Sequence, residues 1–283
     1  MPRGELSVKK VTIIIATHKK YQMPLDTCYL PLHVGAEGKK DKDGNPLNFG
    51  YVKDNTGDNI SSKNPSFCEL TGLYWAWKNL NSDYIGLVHY RRHFCYKRKD
   101  KDPFQNILKD EEVQKLTDKY EVLLPSKRHY WIETLYSHYE HTHFSSQLDE
   151  TEKIIAEQCP EYLEDYKRVV HRTWGHMFNM MIMRRDLLNN YCEWLFNILF
   201  ELEKRINAGK VADSVHLSAY QSRFYGRISE IIFNVWLEHQ THEGTIQHVK
   251  ELKCITLGKI AWGRKISSFL KAKFFGRKYD GSF

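Results

Sequence analysis

Two adjacent arginines flanked by histidines stand at the end of a short apolar run, in the segment His89-Tyr90-Arg91-Arg92-His93. Guanidinium groups bind phosphate oxygens through paired hydrogen bonds and stay charged at any relevant pH. A neighbouring histidine can donate a further hydrogen bond, or take up a proton once a phosphate is near. The segment therefore predicts an anion site suited to a diphosphate. The structural alternative is that one arginine pairs with a core carboxylate and that His89 is a buried, hydrogen-bonded histidine.

The elements around this segment indicate where such a site lies. Residues 84–88 are typical of a buried strand, and the β-branched run at 11–16, which ends at Thr17-His18-Lys19-Lys20, is the clearest strand of the chain. Strands and helices alternate, which favours an α/β layered domain with a mostly parallel central sheet flanked by helices. Ligands of such sheets bind at the carboxyl ends of strands. If both strands are central and parallel, their polar clusters face one crevice. The other predicted elements are strands at 120–125 and 175–185 and helices at 67–80, 147–170 (interrupted at Pro160), 186–208 and 219–240.

A long loop at 35–65 is rich in Gly, Asn, Asp and Pro, and loops of this length are usually functional or disordered. Asp54, Asp58, Asn59 and Lys63 lie on a Gly-centred turn, where they suit hydrogen bonds to ribose and sugar hydroxyls. The two aspartates could also hold a hard cation, although their spacing does not match an EF-hand. The alternative is a solvated turn that uses Asx chemistry.

Arg223, Arg227 and Glu230 have the spacing of one helical face. If that face looks into the crevice, Glu230 is a candidate general base and the arginines add positive charge near the acceptor side. The alternative is a surface pair between Arg227 and Glu230. His176 and Met177 could line the acceptor side too, although a Met/Phe stripe is more often core.

Four further histidines raise the question of a zinc site. Their spacing differs from H-E-x-x-H and no cysteine accompanies them, so the pattern favours surface histidines, with hydrogen bonding or acceptor contact as the functional alternative. These residues are His129, His138, His141 and His143.

The charge of the chain is unevenly distributed. Residues 251–283 hold eight Lys and Arg against two acidic residues, a surplus of six within a net charge of +7 for all 283 residues. The nearly neutral body disfavours a nucleic-acid-binding protein, which usually displays a basic face on the fold itself. The basic, aromatic end is typical of attachment to an anionic membrane surface, with a docked helix or a disordered end as alternatives. No Walker-type loop supports a phosphotransferase. Scattered cysteines, and the absence of a signal peptide or a long apolar run, indicate a cytoplasmic location.

Several long sequence motifs resemble those of bacterial capsular and O-antigen polysaccharide glycosyltransferases, which are catalogued as the domain of unknown function DUF4422. The resemblance extends over about residues 10–240 and is carried by VTIIIATHK, DNTGDNISSKNPSFCELTGLYWAWKN, DYIGLVHYRRHF, HMFNMMIMRRDLLNNYCEWLF and GRISEIIFNVWL. It implies a GT-A-like fold, and we expect the glycosyltransferase domain to cover residues 1–245. The basic amphipathic tail at 246–283 lies outside the resemblance and is expected from its charge pattern alone. The resemblance also implies donor-site roles for Thr17, His18, Asp58, Asn59, Lys63, Glu69, Trp75, Lys78, His89, Tyr90, Arg91 and Arg92. Lys19 and Asp54 join this donor set from the patterns described above.

The resemblance implies transfer of a hexose, with galactofuranose from UDP-galactofuranose as the first expectation and UDP-galactopyranose or another UDP-sugar as the alternative. The expected acceptor is a lipid-linked glycan at the inner face of the cell membrane. Because no Asp-x-Asp motif follows the strand at 84–88, we expect Arg91 and Arg92 to stabilise the leaving diphosphate without a metal, although Mg²⁺ or Mn²⁺ is not excluded. We expect an inverting reaction with Glu230 as the first candidate base and Glu69 as the second.

Overall fold

One eight-stranded sheet forms the centre of the protein, and the computed structural model describes residues 8–97, 100–214 and 217–258. The strands of this sheet are β1 (Val11–Thr17), β2 (Tyr29–His33), β3 (Val52–Lys53), β4 (Tyr84–His89), β5 (Arg92–Cys95), β6 (Val122–Pro125), β9 (Met181–Arg184) and β10 (Val249–Thr256); β7 (Arg128–His129) and β8 (Trp174–Gly175) form a separate pair. The helices are α1 (Asn64–Phe67), α2 (Leu70–Asn79), α3 (Asp110–Thr117), α4 (Leu135–Thr142), α5 (Ser145–Gln158), α6 (Leu163–His171), α7 (Arg185–Asn207) and α8 (Phe224–His242).

The first half of the sheet has the arrangement that the sequence predicts. Strand β1 pairs in parallel with β2 on one side and with β4 on the other, and Ala16 lies opposite His89. The polar residues that follow β1 and β4 therefore emerge at the same edge. Along the chain, helix α2 lies between the loop after β3 and the start of β4. This is the usual place for a helix that connects two parallel strands.

The second half of the sheet is antiparallel in part, so the prediction of a mostly parallel sheet was wrong. Strand β9 runs antiparallel to both β4 and β6, and β10 runs antiparallel to β5 but parallel to β6. Strands β4, β5, β10, β6 and β9 thus close into a ring, with a single residue pair, His89 and Arg92, joining β4 to β5. Gly86 allows this closure because a Cβ there would lie 2.8 Å from Cγ1 of Ile182 on β9.

Both faces of the sheet are buried, which explains the unbroken apolar run of β1. Because successive side chains of a strand point to opposite faces, Ile14 packs into a core with α2, α7 and α8, whereas Ile13 and Ile15 pack into a second core with α3. The larger core contains Trp236 of α8, which is fully buried. The sheet is therefore a rigid platform whose carboxyl edge is free to carry function.

The fold continues beyond residue 245, where the sequence placed the start of the tail. Strand β10 lies inside the sheet between β5 and β6, so the first residues assigned to the tail belong to the domain. The basic amphipathic helix expected further on, from residue 259, lies outside the described residues. Within the described part of the chain, no helix combines the length and apolar character needed to span a bilayer.

Candidate active site

Polar segments meet at the carboxyl ends of β1, β4 and β6, and we call this edge of the sheet, around Arg92 and Glu69, the crevice. Strand β6 is parallel to β10, which is antiparallel to the hairpin partner of β4, so β4 and β6 end at the same edge. Two other segments reach this edge: the turn before β9 and the amino end of α8. The crevice is thus lined by polar segments from opposite halves of the sheet.

Arg92 lies in this crevice, with its guanidinium stacked on an aromatic ring. Its guanidinium carbon is 4.4 Å from the ring centroid of Phe178, and that of Arg128 is 5.8 Å from the same centroid. Burial lowers the pKa of Arg92, while Glu230 and Glu69 oppose that shift and nearby arginines add to it. An arginine that is desolvated among other cations is prepared to bind an anion.

Helix α8 contributes the residues that its spacing predicts. Arg227 donates to Oε1 of Glu230 at 3.1 Å, and Glu230 is only 5% exposed. The carboxylate of Glu230 is the first cause that raises the pKa of Arg227, so Arg227 is charged throughout the physiological range. Arg223, one turn earlier, donates through Nε to Sγ of Cys68 at 3.1 Å. The predicted helical face does look into the crevice.

Glu69 brings a second carboxylate to the same place. It is the residue before α2, and its Oε1 accepts a hydrogen bond of 2.8 Å from Nδ2 of Asn179. Glu69 influences the pKa of Arg92, Arg223 and Arg227, which places its charge among the three guanidinium groups. Two carboxylates and several arginines therefore meet in one crevice.

The histidine and tyrosine of the His89–His93 segment line the crevice differently. His89 donates through Nε2 to the carbonyl of Phe178 at 2.6 Å, which fixes its ring. Tyr90 contacts the ring of His18 edge-on at a centroid distance of 5.3 Å, and Nζ of Lys19 lies 5.1 Å from its centroid. The pKa of His18 is lowered by burial and then by Lys19 and Arg223, so His18 is neutral at pH 7 and lies in a positive field.

Three other predicted residues at this edge have structural surroundings. Thr17 is fully buried, and its hydroxyl donates to the carbonyl of Lys19. Arg91 occupies the turn between β4 and β5, where its carbonyl accepts from the amide of Leu257. His93 is fully buried, and the apolar surroundings lower its pKa to about 4. Of the two adjacent arginines, Arg92 is the one whose contacts lie in the crevice.

Asp54 has no room for a ligand, although the sequence places it in the donor site. Its carboxylate is fully buried and accepts from the amides of Gly35 and Ala36 and from the hydroxyls of Ser61 and Thr71. Four protein donors use the acceptor positions of this carboxylate. Asp54 therefore holds the loop at 35–65 together and is a poor candidate for a cation or sugar ligand.

Most of the remaining donor candidates lie toward the carboxyl end of α2. Asp58 accepts from the hydroxyl of Tyr74, and its amide donates to Asn79, the last residue of the helix. A helix of ten residues, about 15 Å long, separates Asn79 from Glu69. Trp75 donates to the carbonyl of Thr56, Asn59 donates to Gly57, and Lys78 lies over Trp77.

Lys63 instead lies near the amino end of α2. Its Nζ is 5.9 Å from the ring centroid of Phe67, and it pairs with Glu203 of α7.

The predicted acceptor residues before β9 are buried. His176 and Met177 are each 6% exposed, and His176 donates through Nδ1 to the carbonyl of Pro125 at 2.7 Å. Their neighbour on α8 is Asn234, about two turns beyond Arg227. Both residues are buried and directly precede the turn at 178–179.

The histidines considered for zinc have protein partners. His138 and His141 each bond through Nδ1 to one oxygen of Glu133, at 2.8 Å, and Glu133 is 3% exposed. His143 is buried, whereas His129 is exposed and lies near the ring of Trp131. In the described ranges, one group could offer three ligands to a metal: Asp165, Glu238 and His242. Arg168 and Arg172 already bind the two carboxylates of that group, so its chemistry does not suit a cation.

Sequence reasoning missed Arg128, Phe178 and Asn179. Arg128 could have been found, because it follows the apolar strand β6 in the same way that the polar clusters follow β1 and β4. Phe178 and Asn179 gave no such signal, since the run before β9 reads as core. They reach the crevice because the chain turns there with positive φ at both residues.

Comparison with known proteins identifies the family of this chain. Residues 12–241 match the model of a family described as a domain of unknown function, DUF4422. No curated protein matches the chain. The chain is similar to the apo structure of the bifunctional glycosyltransferase WbbM, with a TM-score of 0.77 and 31% identity over 88% of this chain and 46% of that one. The chain thus spans about half the length of the WbbM chain. Because the family model matches most of its length, this chain belongs to the DUF4422 family, as its sequence motifs predict.

Proposed function

We propose that the protein is a glycosyltransferase that moves a hexose from a UDP-sugar to a glycan acceptor. The observation that carries the proposal is the convergence of Arg92, Arg128, Arg223 and Arg227 on two carboxylates at the carboxyl edge of the sheet. The similarity to WbbM, a bifunctional glycosyltransferase, supports the same class of reaction. Displacement of a nucleoside diphosphate needs positive charge to stabilise the leaving group and a carboxylate to take the proton of the acceptor.

In the proposed reaction an acceptor hydroxyl attacks the anomeric carbon while negative charge grows on the leaving UDP. Arg92 is the residue we assign to the diphosphate, because its guanidinium is already desolvated and held flat against Phe178. Fixed cations of this kind stabilise charge without reorganising during the reaction. A charge-assisted hydrogen bond contributes about 1.5–3 kcal/mol, which corresponds to about one or two orders of magnitude in rate.

Glu69 is our choice of general base over Glu230, which the sequence ranked first. Oε1 of Glu230 accepts a hydrogen bond from Arg227, so this oxygen is already used by a protein partner. Glu69 is half-buried, and one of its oxygens accepts from a neutral amide. A single carboxylate base next to an anion site is what an inverting transfer needs.

The finer assignments rest on the resemblance to the polysaccharide glycosyltransferases. We propose UDP-galactofuranose as the donor, with UDP-galactopyranose as the alternative, and a lipid-linked saccharide of capsule, O-antigen or exopolysaccharide synthesis as the acceptor. We propose that arginines replace a metal at the diphosphate and that the basic end of the chain attaches it to the inner face of the membrane. The excess of Lys and Arg after residue 251 supports that attachment.

The test is a panel of UDP-sugars, with and without a chelator, in which UDP release and labelled product are measured against a lipid-linked acceptor. We expect turnover with a UDP-hexose that persists in EDTA. UDP release that is absent for every donor contradicts the proposed function, and turnover that needs Mg²⁺ or Mn²⁺ contradicts the metal-independent part alone. A thermal shift with UDP and none with oligonucleotides would separate the transferase from a nucleic-acid-binding protein.

A further inference from the structure

The turn before β9 has a backbone conformation that residues with side chains seldom adopt. Phe178 has φ +79° and Asn179 has φ +52°. Asn tolerates the left-handed region, whereas a bulky residue there is unusual and adds about 1–3 kcal/mol of strain. Such a conformation persists only where the surroundings hold it. Here His89 binds the carbonyl of Phe178. Asn179 is 3% exposed, and both polar atoms of its side chain are hydrogen-bonded.

The hydrogen bonds of Asn179 fix the orientation of its amide. Nδ2 donates to the carbonyl of Gly226 at 3.0 Å and to Oε1 of Glu69 at 2.8 Å, and Oδ1 accepts from the hydroxyl of Ser229 at 2.8 Å. A backbone carbonyl can only accept, so the NH₂ group must face Gly226. Its second hydrogen then points to Glu69. Gly226 and Ser229 of α8 therefore determine that the Glu69 carboxylate faces the NH₂ group of Asn179 and not its oxygen.

This arrangement leaves the two oxygens of Glu69 in different situations. Oε1 is bound to Asn179, whereas Oε2 has no hydrogen-bond partner among the described residues. An N–H donor bound to one oxygen of a carboxylate restricts the rotation of that carboxylate. A base held in this way presents one defined oxygen to a proton at the crevice.

We propose that Asn179 is a positioning residue that orients the Glu69 carboxylate so that Oε2 faces the acceptor hydroxyl. The proposal deepens the function above and rests on it, because it assigns the base of that reaction. Asn179 itself donates to Oε1 and takes no proton. During transfer the acceptor O–H bond breaks, its proton moves to Oε2 of Glu69, and the new glycosidic bond forms as UDP leaves.

Two substitutions test the side-chain amide of Asn179 independently of its backbone conformation. Asn179→Gly keeps the positive φ without strain but removes the donor, and Asn179→Asp keeps the shape but places a second carboxylate beside Glu69. Asn48→Asp is the matched control, since it adds the same charge in the exposed turn at 48–50. Ser229→Ala is a milder variant that removes only the hydroxyl bound to Oδ1, and it serves if either Asn179 variant melts at a much lower temperature.

The first readout is the side-chain carboxyl resonance of Glu69, observed by NMR on protein with ¹³C-labelled glutamate and assigned with Glu69→Gln. It needs no substrate, so it is independent of the proposed function. We expect the chemical shift of this carboxyl carbon to change in Asn179→Gly and in Asn179→Asp, because the hydrogen-bond donor to Oε1 is lost, with no change in Asn48→Asp. A Glu69 resonance that is the same in wild type and both Asn179 variants would overturn the proposal.

The second readout is transfer. We expect kcat to fall about 10- to 100-fold in Asn179→Gly with the KM for the donor little changed. Equal losses in kcat and donor binding would indicate collapse of the site and contradict positioning. A wild-type chain that transfers no sugar would contradict the proposed function, while the carboxyl resonance of Glu69 would still decide whether Asn179 controls Glu69.

Discussion

Helix α8 carries an ionic cluster near each end, and the two clusters differ in how completely their charges are paired. At the carboxyl end, Asp165 binds Arg168 and His239, and Glu238 binds Arg168 and Arg172. At the amino end, Arg227 binds Glu230, but Arg92, Arg128 and Arg223 have no carboxylate within bonding distance among the described residues. The same residue types form a closed network at one end and an open, positive site at the other.

The difference indicates which cluster stabilises the fold and which is prepared for a ligand. Asp165 is bound by Arg168 and by the imidazoles of His239 and His242, and Glu238 is bound by Arg168 and Arg172, so this network ties α6 to α8. The arginines at the amino end instead lie against aromatic rings and a thiol, which do not neutralise them. Like charges held close together are unfavourable unless an anion joins them. A bound diphosphate would complete this cluster as Asp165 and Glu238 complete the other.

The largest expected effect comes from a carboxylate at the amino end. Glu69→Gln keeps the shape and the hydrogen bond from Asn179 but removes the base, so we expect kcat for transfer to fall about 1000-fold. Glu230→Gln should lower kcat by much less, about tenfold or below, because Glu230 is already bound to Arg227. Steady-state transfer assays on both variants measure this. A reversed order of the two losses would make Glu230 the base.

The next effect tests the cluster at the carboxyl end. Glu238→Ala leaves the half-buried Arg172 without its carboxylate and Arg168 with Asp165 alone, and we expect the free energy of unfolding to fall by about 2 kcal/mol. Transfer should stay within about twofold of wild type, because the site at the other end is intact. Urea unfolding and transfer assays measure the two quantities, and Glu243→Ala, in an exposed position just after α8, is the control. A strong loss of transfer in folded Glu238→Ala would show that the two ends are not independent.

The smallest effect is a pH dependence of ligand binding at the amino end. Burial, Lys19 and Arg223 lower the pKa of His18, and a bound diphosphate would offset the two cations and raise that pKa. The bound state then holds more protons between the two pKa values, so affinity for UDP rises as pH falls through this window, below and around 6.5. We expect UDP to bind about threefold more tightly at pH 6.0 than at pH 7.5 by calorimetry. His18→Gln should remove the difference, and His242→Gln should not; a pH-independent wild type would contradict the role of His18.

The sequence predicts the elements at the crevice better than it predicts the side chains there. The pairing of β1 with β4 and the face of α8 follow from short-range periodicity, which the chain shows clearly at Val11–Thr17 and at Arg223, Arg227 and Glu230. Asp54 was placed in the donor site because its loop looks polar, but the carboxylate serves the loop itself. Residue type alone does not distinguish a ligand-binding carboxylate from a structural one, because their difference lies in long-range partners.

The mixed sheet and the turn at Phe178 and Asn179 were beyond the sequence for the same reason. Strand β9 runs antiparallel between β4 and β6, a choice made by the long path of the chain through α4, α5 and α6 rather than by any local pattern. The positive φ of Phe178 is fixed by His89 and by α8, which are distant in sequence. These contacts are what carry Arg92 and Glu69 into one site.

The central claim is that the arginines at the amino end of α8 and at the start of β5 bind a diphosphate without a metal. The most direct measurement is calorimetric titration of UDP into wild type, Arg92→Ala and Arg168→Ala, all in EDTA. We predict binding to wild type and to Arg168→Ala with similar affinity, and a loss of at least about tenfold for Arg92→Ala. Equal affinity for wild type and Arg92→Ala, or binding that appears only when EDTA is replaced by Mg²⁺, would contradict it.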